Sequence, residues 1–182
     1  MRYSVCGLLL CTACTRLAIP QQAVSSPLPP TCVLQAFPKP IGFNSADTRA
    51  AVRAFDQQTS APYSALYIRK VPGRGEQASS CIRVVQRSAT RFMRYVYRAQ
   101  HVDSVRQVSA NWLVPFTQLQ PGHYLGVCQT EGMDAAYWVI LVKQGPTVTF
   151  SLGLESGQYK HLAAADQARI APAFDLIRLM TH

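Results

Sequence analysis

The sequence predicts an α+β fold: a single domain dominated by an antiparallel β-sheet, with one helix near the start of the domain and one at its C-terminus. The strongest observation is a hairpin pattern, in which a β-branched and aromatic run (137–142) is interrupted by Lys-Gln-Gly-Pro and followed by an alternating stretch (148–154). The second observation is a helical pattern at both ends of the domain, because such helices normally cover a face or edge of a sheet. A sandwich-like packing of the strands is the alternative within this class.

The first elements are a strand and a helix. Residues 32–37 predict a short strand, which two following prolines end. Ser45 suits the N-cap of the next helix, and Ala51 and Phe55 belong to its apolar stripe. This helix should end by Gln58.

The middle of the domain contains one ambiguous segment. Residues 65–68 predict a strand that leads into a glycine-containing loop (71–79). Residues 81–100 fit an amphipathic helix, since their arginines share one arc of a helical wheel, but they also fit two strands joined at 88–90. The abundance of β-branched and aromatic residues favours the two strands.

Three further elements complete the domain. Residues 105–114 predict a strand closed by Pro115, residues 123–129 another strand, and residues 160–180 a helix that Pro172 should kink or split. The segment before the second of these strands, Leu-Gln-Pro-Gly-His-Tyr, resembles the turn entering a strand in prealbumin-like and immunoglobulin-like β-sandwich domains. The resemblance implies a strand and carries no function.

The N-terminal segment predicts export. Residues 1–13 have one positive charge, a short apolar run and small residues, as in a signal peptide. The segment Leu-Cys-Thr-Ala-Cys that ends at Cys14 resembles the lipobox of bacterial lipoproteins, although a cysteine stands where the family usually has leucine. The resemblance implies that Cys14 is acylated and anchors the chain to a membrane.

The lipobox-like leader divides the chain into three parts. After residues 1–13, residues 14–31 are a proline-rich tether, and residues 32–182 form the domain. The predicted location is the bacterial cell envelope, either periplasmic or surface-exposed. Secretion after cleavage behind Ala13 or near Ala23 is the alternative, and an unprocessed cytosolic chain is the remaining one.

Three cysteines follow the tether. Cys32 stands where the tether meets the domain and Cys81 where the glycine-containing loop ends, so both occupy places where a crosslink restricts mobile chain. We therefore predict a Cys32–Cys81 disulfide, which an export compartment permits. Cys128, inside an apolar strand, is predicted to be a free buried residue.

The basic residues are clustered. The formal net charge is +9, and half of the 18 lysines and arginines lie between Arg69 and Arg106. Clustered arginine favours polyanions such as acidic glycan or anionic lipid, although a basic surface often serves only solubility. Arg87, Arg94 and Arg98 are the candidate anion-binding residues. No nucleic acid partner is expected in this compartment.

Motifs for catalysis, metals or cofactors are not evident. The histidines and cysteines lack metal-ligand spacing, and no phosphate-cradling loop is present. We predict no cofactor and a non-enzymatic envelope lipoprotein or secreted accessory domain that binds a partner protein or an anionic envelope component. The alternative is a small envelope hydrolase, in which His101 or His123 would meet Cys128 or a carboxylate.

Overall fold

A computed structural model describes residues 32–42, 46–71, 80–98, 100–128 and 136–182. Its elements, in chain order, are β1 (Cys32–Phe37), α1 (Arg49–Asp56), β2 (Tyr63–Lys70), β3 (Ser80–Ser88), β4 (Arg91–Arg98), β5 (His101–Val108), α2 (Leu113–Gln118), β6 (Gly122–Cys128), β7 (Tyr137–Gln144), β8 (Thr147–Glu155) and α3 (Ala164–Thr181). A short 3-10 turn precedes each of these helices. The predicted leader, the lipid site at Cys14, the tether, the N-cap Ser45 and residues 72–79 of the predicted loop fall outside the described ranges.

The eight described strands belong to one sheet, in the order β1-β6-β8-β7-β2-β3-β4-β5. Neighbouring strands are antiparallel, except that β6 and β8 are parallel. The predicted α+β class with a sheet-dominated core is confirmed. Since all these strands lie in one layer, the sandwich-like alternative is wrong.

Helices cover both faces of the sheet. On the α3 face, where α2 also packs, the core includes Phe92, Phe150 and Leu176. On the opposite α1 face, a second core surrounds Phe55 and Val139. The central residues of strands β2 and β7 are buried for this reason, and they therefore appear in the sequence as continuous apolar runs.

Both predicted hairpins are confirmed. Strands β7 and β8 pair across a turn at residues 145–146, and the ambiguous segment forms β3 and β4 with a turn at residues 89–90 rather than one helix. The predicted strands at 32–37 and 65–68 correspond to β1 and β2, and the first helix ends at Asp56, before Gln58.

The predicted strand at residues 105–114 is wrong beyond Val108. The chain leaves the sheet there and forms a 3-10 turn and α2. Trp112 and Phe116, four residues apart, share the buried side of this helical segment, whereas Val114 is 54 % exposed. Pro115 lies in the first turn of α2, where its missing N–H costs no hydrogen bond.

The C-terminal helix is not split at Pro172, because α3 continues through it to Thr181. Proline at this position removes the N–H that would bond the carbonyl of Ala168, one turn earlier. Ala168 is exposed, so water can satisfy that carbonyl. The helix also begins later than predicted, at Ala164, after a 3-10 turn at Gln158–His161.

The predicted disulfide pairing is wrong. Cys32 is bonded to Cys128, and these residues are direct partners in the β1–β6 register. Cys81 is a buried free cysteine on the α1 face, whereas Cys32 belongs to the core of the α3 face. Four strands also separate β1 from β3. A Cys32–Cys81 bond would thus have to cross roughly 24 Å of sheet, far beyond the reach of a disulfide.

Candidate anion-binding site

A group of cationic side chains lies where the last turn of α3 meets β4 and β5. Arg94 of β4 is the direct cross-strand partner of Arg106 of β5. Directly opposed residues of an antiparallel pair project from the same face, with Cβ atoms about 5 Å apart. The position is near one edge of the sheet, since β5 pairs only with β4 among the described strands.

Arg94 connects this part of the sheet to α3. Its Nε atom donates a hydrogen bond of 2.7 Å to the carbonyl oxygen of Met180, in the last turn of the helix. The carbonyl end of a helix carries partial negative charge, so a guanidinium group there stabilises the helix. Burial lowers the pKa of Arg94, and the neighbouring charge of Arg106 lowers it further.

The two opposed arginines face a cleft of about 540 Å³. Its lining combines cationic, polar and apolar side chains, namely Arg94, Arg106, Gln107, Val108, Ser109, Trp112, Arg178, Leu179 and His182. We call this the arginine cleft.

The positive charge of the arginine cleft is poorly compensated within the described part of the chain. Arg178 forms an exposed ion pair of 3.6 Å with Asp175, one turn earlier in α3. Neither Arg94 nor Arg106 forms an ion pair with any described residue. Like charges placed directly opposite each other destabilise a strand pair, and an anion bound between them would remove that cost.

The three arginines predicted from the sequence do not lie together. Arg94 lines the cleft. Arg98 is exposed four residues further along β4 and does not line it. Arg87 donates a hydrogen bond of 2.9 Å to the hydroxyl of Tyr95, whose side chain packs on the α1 face. Arg87 thus lies on the other side of the sheet.

Two other cations in the sheet are structural. Arg83 donates to the carbonyl oxygen of Ala54 in α1 at 2.9 Å and lies 4.4 Å from the ring centroid of Tyr95. Lys143 donates to the carbonyl oxygens of Phe55 and Asp56, both at 2.9 Å. Both cations stabilise the C-terminal end of α1, just as Arg94 stabilises that of α3.

The thiol–imidazole pair considered for catalysis is not formed. Cys128 is disulfide-bonded, so it has no free thiol for nucleophilic attack. His101 is exposed at the start of β5, six places in the sheet order from β6, the strand that contains Cys128. The disulfide therefore excludes a thiol–imidazole dyad at Cys128.

The sequence did not predict a contact between a serine and a histidine. The Oγ atom of Ser151 lies 3.1 Å from Nδ1 of His123, its partner across the parallel β6–β8 pair. Ser151 is fully buried and its Oγ also accepts a hydrogen bond from the backbone N–H of Ile41. A serine in this position cannot reach a substrate. The hydrogen bond from the N–H of Ile41 to Ser151 attaches the chain around Ile41 to the sheet.

Other site classes also lack support within the described ranges. No group of three histidine, cysteine or acidic residues has a geometry that would hold a metal ion. Among the described helices, none combines the length and apolar character needed to cross a bilayer.

Comparison with known proteins gives no relative for this chain. No protein-family model, no curated protein and no solved structure matches it. The function is therefore argued from the arginine cleft itself.

Proposed function

We propose that this protein is a non-enzymatic binding domain of the bacterial cell envelope that recognises an anionic group through the arginine cleft. The group belongs to an envelope component or to a partner protein. The observation that carries the proposal is the direct opposition of Arg94 and Arg106 without a carboxylate partner in the described chain. Arg83, Arg94 and Lys143 donate to helix carbonyls, whereas Arg106 has no hydrogen-bond or ion-pair partner among the described residues.

Guanidinium groups suit this role because each presents several N–H donors in a planar fork. Nε of Arg94 is used by Met180, so its terminal nitrogens remain for a ligand. This hydrogen bond also fixes the side chain before binding, which lowers the entropy cost of ordering it around the ligand.

The envelope location rests on the sequence of the leader. A signal peptide followed by the lipobox-like segment ending at Cys14 favours a lipid anchor, with secretion as the alternative. The Cys32–Cys128 disulfide supports an oxidising compartment, because disulfides persist outside the cytoplasm and are rare inside it.

Chromatography of the full chain on phosphocellulose tests the proposal. Arg106→Ala removes one exposed cleft charge, and Arg53→Ala removes one exposed charge from α1 on the other face of the sheet. Both variants have the same net charge. We expect Arg53→Ala to elute close to the wild type and Arg106→Ala to elute at clearly lower salt.

The outcome that contradicts the proposal is an equal shift of the two variants. Equal shifts would mean that the resin detects only the overall charge of the protein, so that the arginine cleft has no special affinity for anions.

A further inference from the structure

The arginine cleft has an apolar wall beside its cationic groups. Val108, Trp112 and Leu179 line it together with the three arginines and His182. Val108 and Leu179 are partly exposed and also pack against the core of the α3 face. A cleft for an inorganic anion alone would not need this apolar wall.

The size of the arginine cleft also indicates a ligand larger than an inorganic anion. Its volume of about 540 Å³ lies within the range of roughly 300–1,000 Å³ that is usual for sites holding small organic molecules. One oxyanion group would occupy only part of it. The remaining space adjoins the apolar wall.

We infer that the ligand of the arginine cleft is an amphiphilic phosphate: a phosphate ester whose charged group lies between Arg94, Arg106 and Arg178 and whose apolar chain lies against Val108 and Leu179. This inference rests on the proposed function and narrows it to a ligand class. Phosphate has more acceptor oxygens than a carboxylate and carries up to two charges, so it matches several converging guanidinium groups better.

The burial of Trp112 favours a chain over a nucleobase. Its side chain is only 4 % exposed, so the ring does not offer an open face on which a base can stack. An acyl or other flexible apolar chain needs only a continuous apolar surface, which Val108 and Leu179 provide next to the ring.

The test uses the full chain with Cys14→Ser, because the proposed lipid anchor would insert into vesicles by itself. Isothermal titration calorimetry measures its binding to four probes: inorganic phosphate, glycerol 3-phosphate, monomeric dihexanoyl phosphatidic acid, and vesicles containing long-chain phosphatidic acid. We expect the dihexanoyl lipid to bind at least about tenfold more tightly than glycerol 3-phosphate, because burial of two CH₂ groups already contributes that much. Binding of both the monomeric lipid and the vesicles would identify a lipid as the source of the phosphate. Binding of the monomer alone would identify a dispersed phosphate ester.

Two variants distinguish binding of the ligand's phosphate group from binding of its apolar chain. Leu179→Gln should remove most of the tenfold gain, because it should weaken binding of the dihexanoyl lipid much more than binding of glycerol 3-phosphate. Arg106→Ala should weaken binding of every probe. Circular dichroism checks that both variants are folded. Val108→Thr is a second variant of the apolar wall and tests the same effect as Leu179→Gln. It keeps a β-branched side chain in the strand.

The two claims fail in different ways. Equal affinities for the dihexanoyl lipid and glycerol 3-phosphate would overturn the inference and leave the proposed function standing. Absence of binding for all four probes, with an acidic protein as the only ligand found, would also overturn it. Vesicle binding that Arg106→Ala does not weaken would contradict both claims.

Discussion

Arg94 and Arg106 are direct partners across β4 and β5, and the guanidinium group of Arg94 is also hydrogen-bonded to the last turn of α3. The side chain of Arg94 thus both stabilises the fold and lines the candidate site. Its Nε–H stabilises a helix end, while its charge, together with that of Arg106, makes the neighbouring cleft attractive to anions.

This relationship predicts that the two arginines differ in their effect on stability. Arg94→Met removes a charged hydrogen bond to the carbonyl of Met180, and we expect a loss of about 1–2 kcal/mol in the free energy of unfolding. Arg106→Ala should leave stability unchanged or raise it slightly, because it relieves like-charge repulsion. Urea unfolding measures both. An Arg94→Met variant as stable as the wild type would refute the structural role of Arg94.

Lys143 is predicted to be essential for the packing of α1. It is 4 % exposed, and Lys143→Met would leave the carbonyls of Phe55 and Asp56 without this donor. We expect a loss of about 2 kcal/mol in unfolding free energy. Lys160→Met, at an exposed position, is the control and should cost little. Similar unfolding curves for the two variants would contradict this role.

The disulfide between Cys32 and Cys128 can be tested by peptide mapping and by mutation. Peptide mapping without reduction should recover Cys32 linked to Cys128, and Cys32→Ser with Cys128→Ser should lower stability by about 2–4 kcal/mol, because the bond closes a long loop. A recovered Cys32–Cys81 peptide would disprove the arrangement of β1 and β6.

Cys81 should be unreactive in the native protein. Its side chain is buried, and burial raises the pKa of its thiol to about 12, although the charge of Arg83 partly opposes this rise. The thiol is therefore protonated at neutral pH and shielded from reagents. Iodoacetamide should modify Cys81 in denaturant and hardly at all without it. Equal rates under both conditions would show that the α1 face is open.

The lowered pKa of His123 should make the stability of the protein depend on pH. Burial lowers the pKa of its imidazole below the ordinary value of 6.5, so the unfolded chain binds a proton more readily than the native one. Its contribution is complete above pH 6.5 and is lost as the pH falls through the folded-state pKa. His123→Asn keeps an acceptor near Ser151 but does not titrate. Its stability should fall less than that of the wild type between pH 7 and pH 5, and parallel losses would contradict the prediction.

Local patterns predicted most of the strands but not their order in the sheet. The hairpin of β7 and β8 follows from alternation and a Gly-Pro turn, which are neighbours in the sequence. The pairing of Cys32 with Cys128 depends instead on β1 lying beside β6, and no local pattern indicates which distant strands become neighbours. The contact of His123 with Ser151 could not be predicted for the same reason, because it depends on β6 lying beside β8.

The arginine cleft was only partly predictable for a related reason. Arg94 was singled out because it belongs to a basic stretch. If the pairing of Arg98 with His101 continued without irregularity, Arg94 would lie opposite Val105. The irregularity after Val96 shifts the register by one residue and places Arg106 there.

Two other residues that line the cleft come from a distant part of the chain. Arg178 and His182 reach it only because α3 packs on that face of the sheet. Helical periodicity indicates an apolar stripe on α3 but not the strands that it covers. Sequence reasoning therefore missed both residues.

The central claim, that anions bind at the arginine cleft, is tested most directly by NMR of the ¹⁵N-labelled full chain during titration with glycerol 3-phosphate. We predict that the Nε–H resonance of Arg94 and the backbone amides around Arg106 and Arg178 shift together and saturate with one dissociation constant. Small shifts spread over the arginines of both faces, with no saturation near Arg94, would contradict the account.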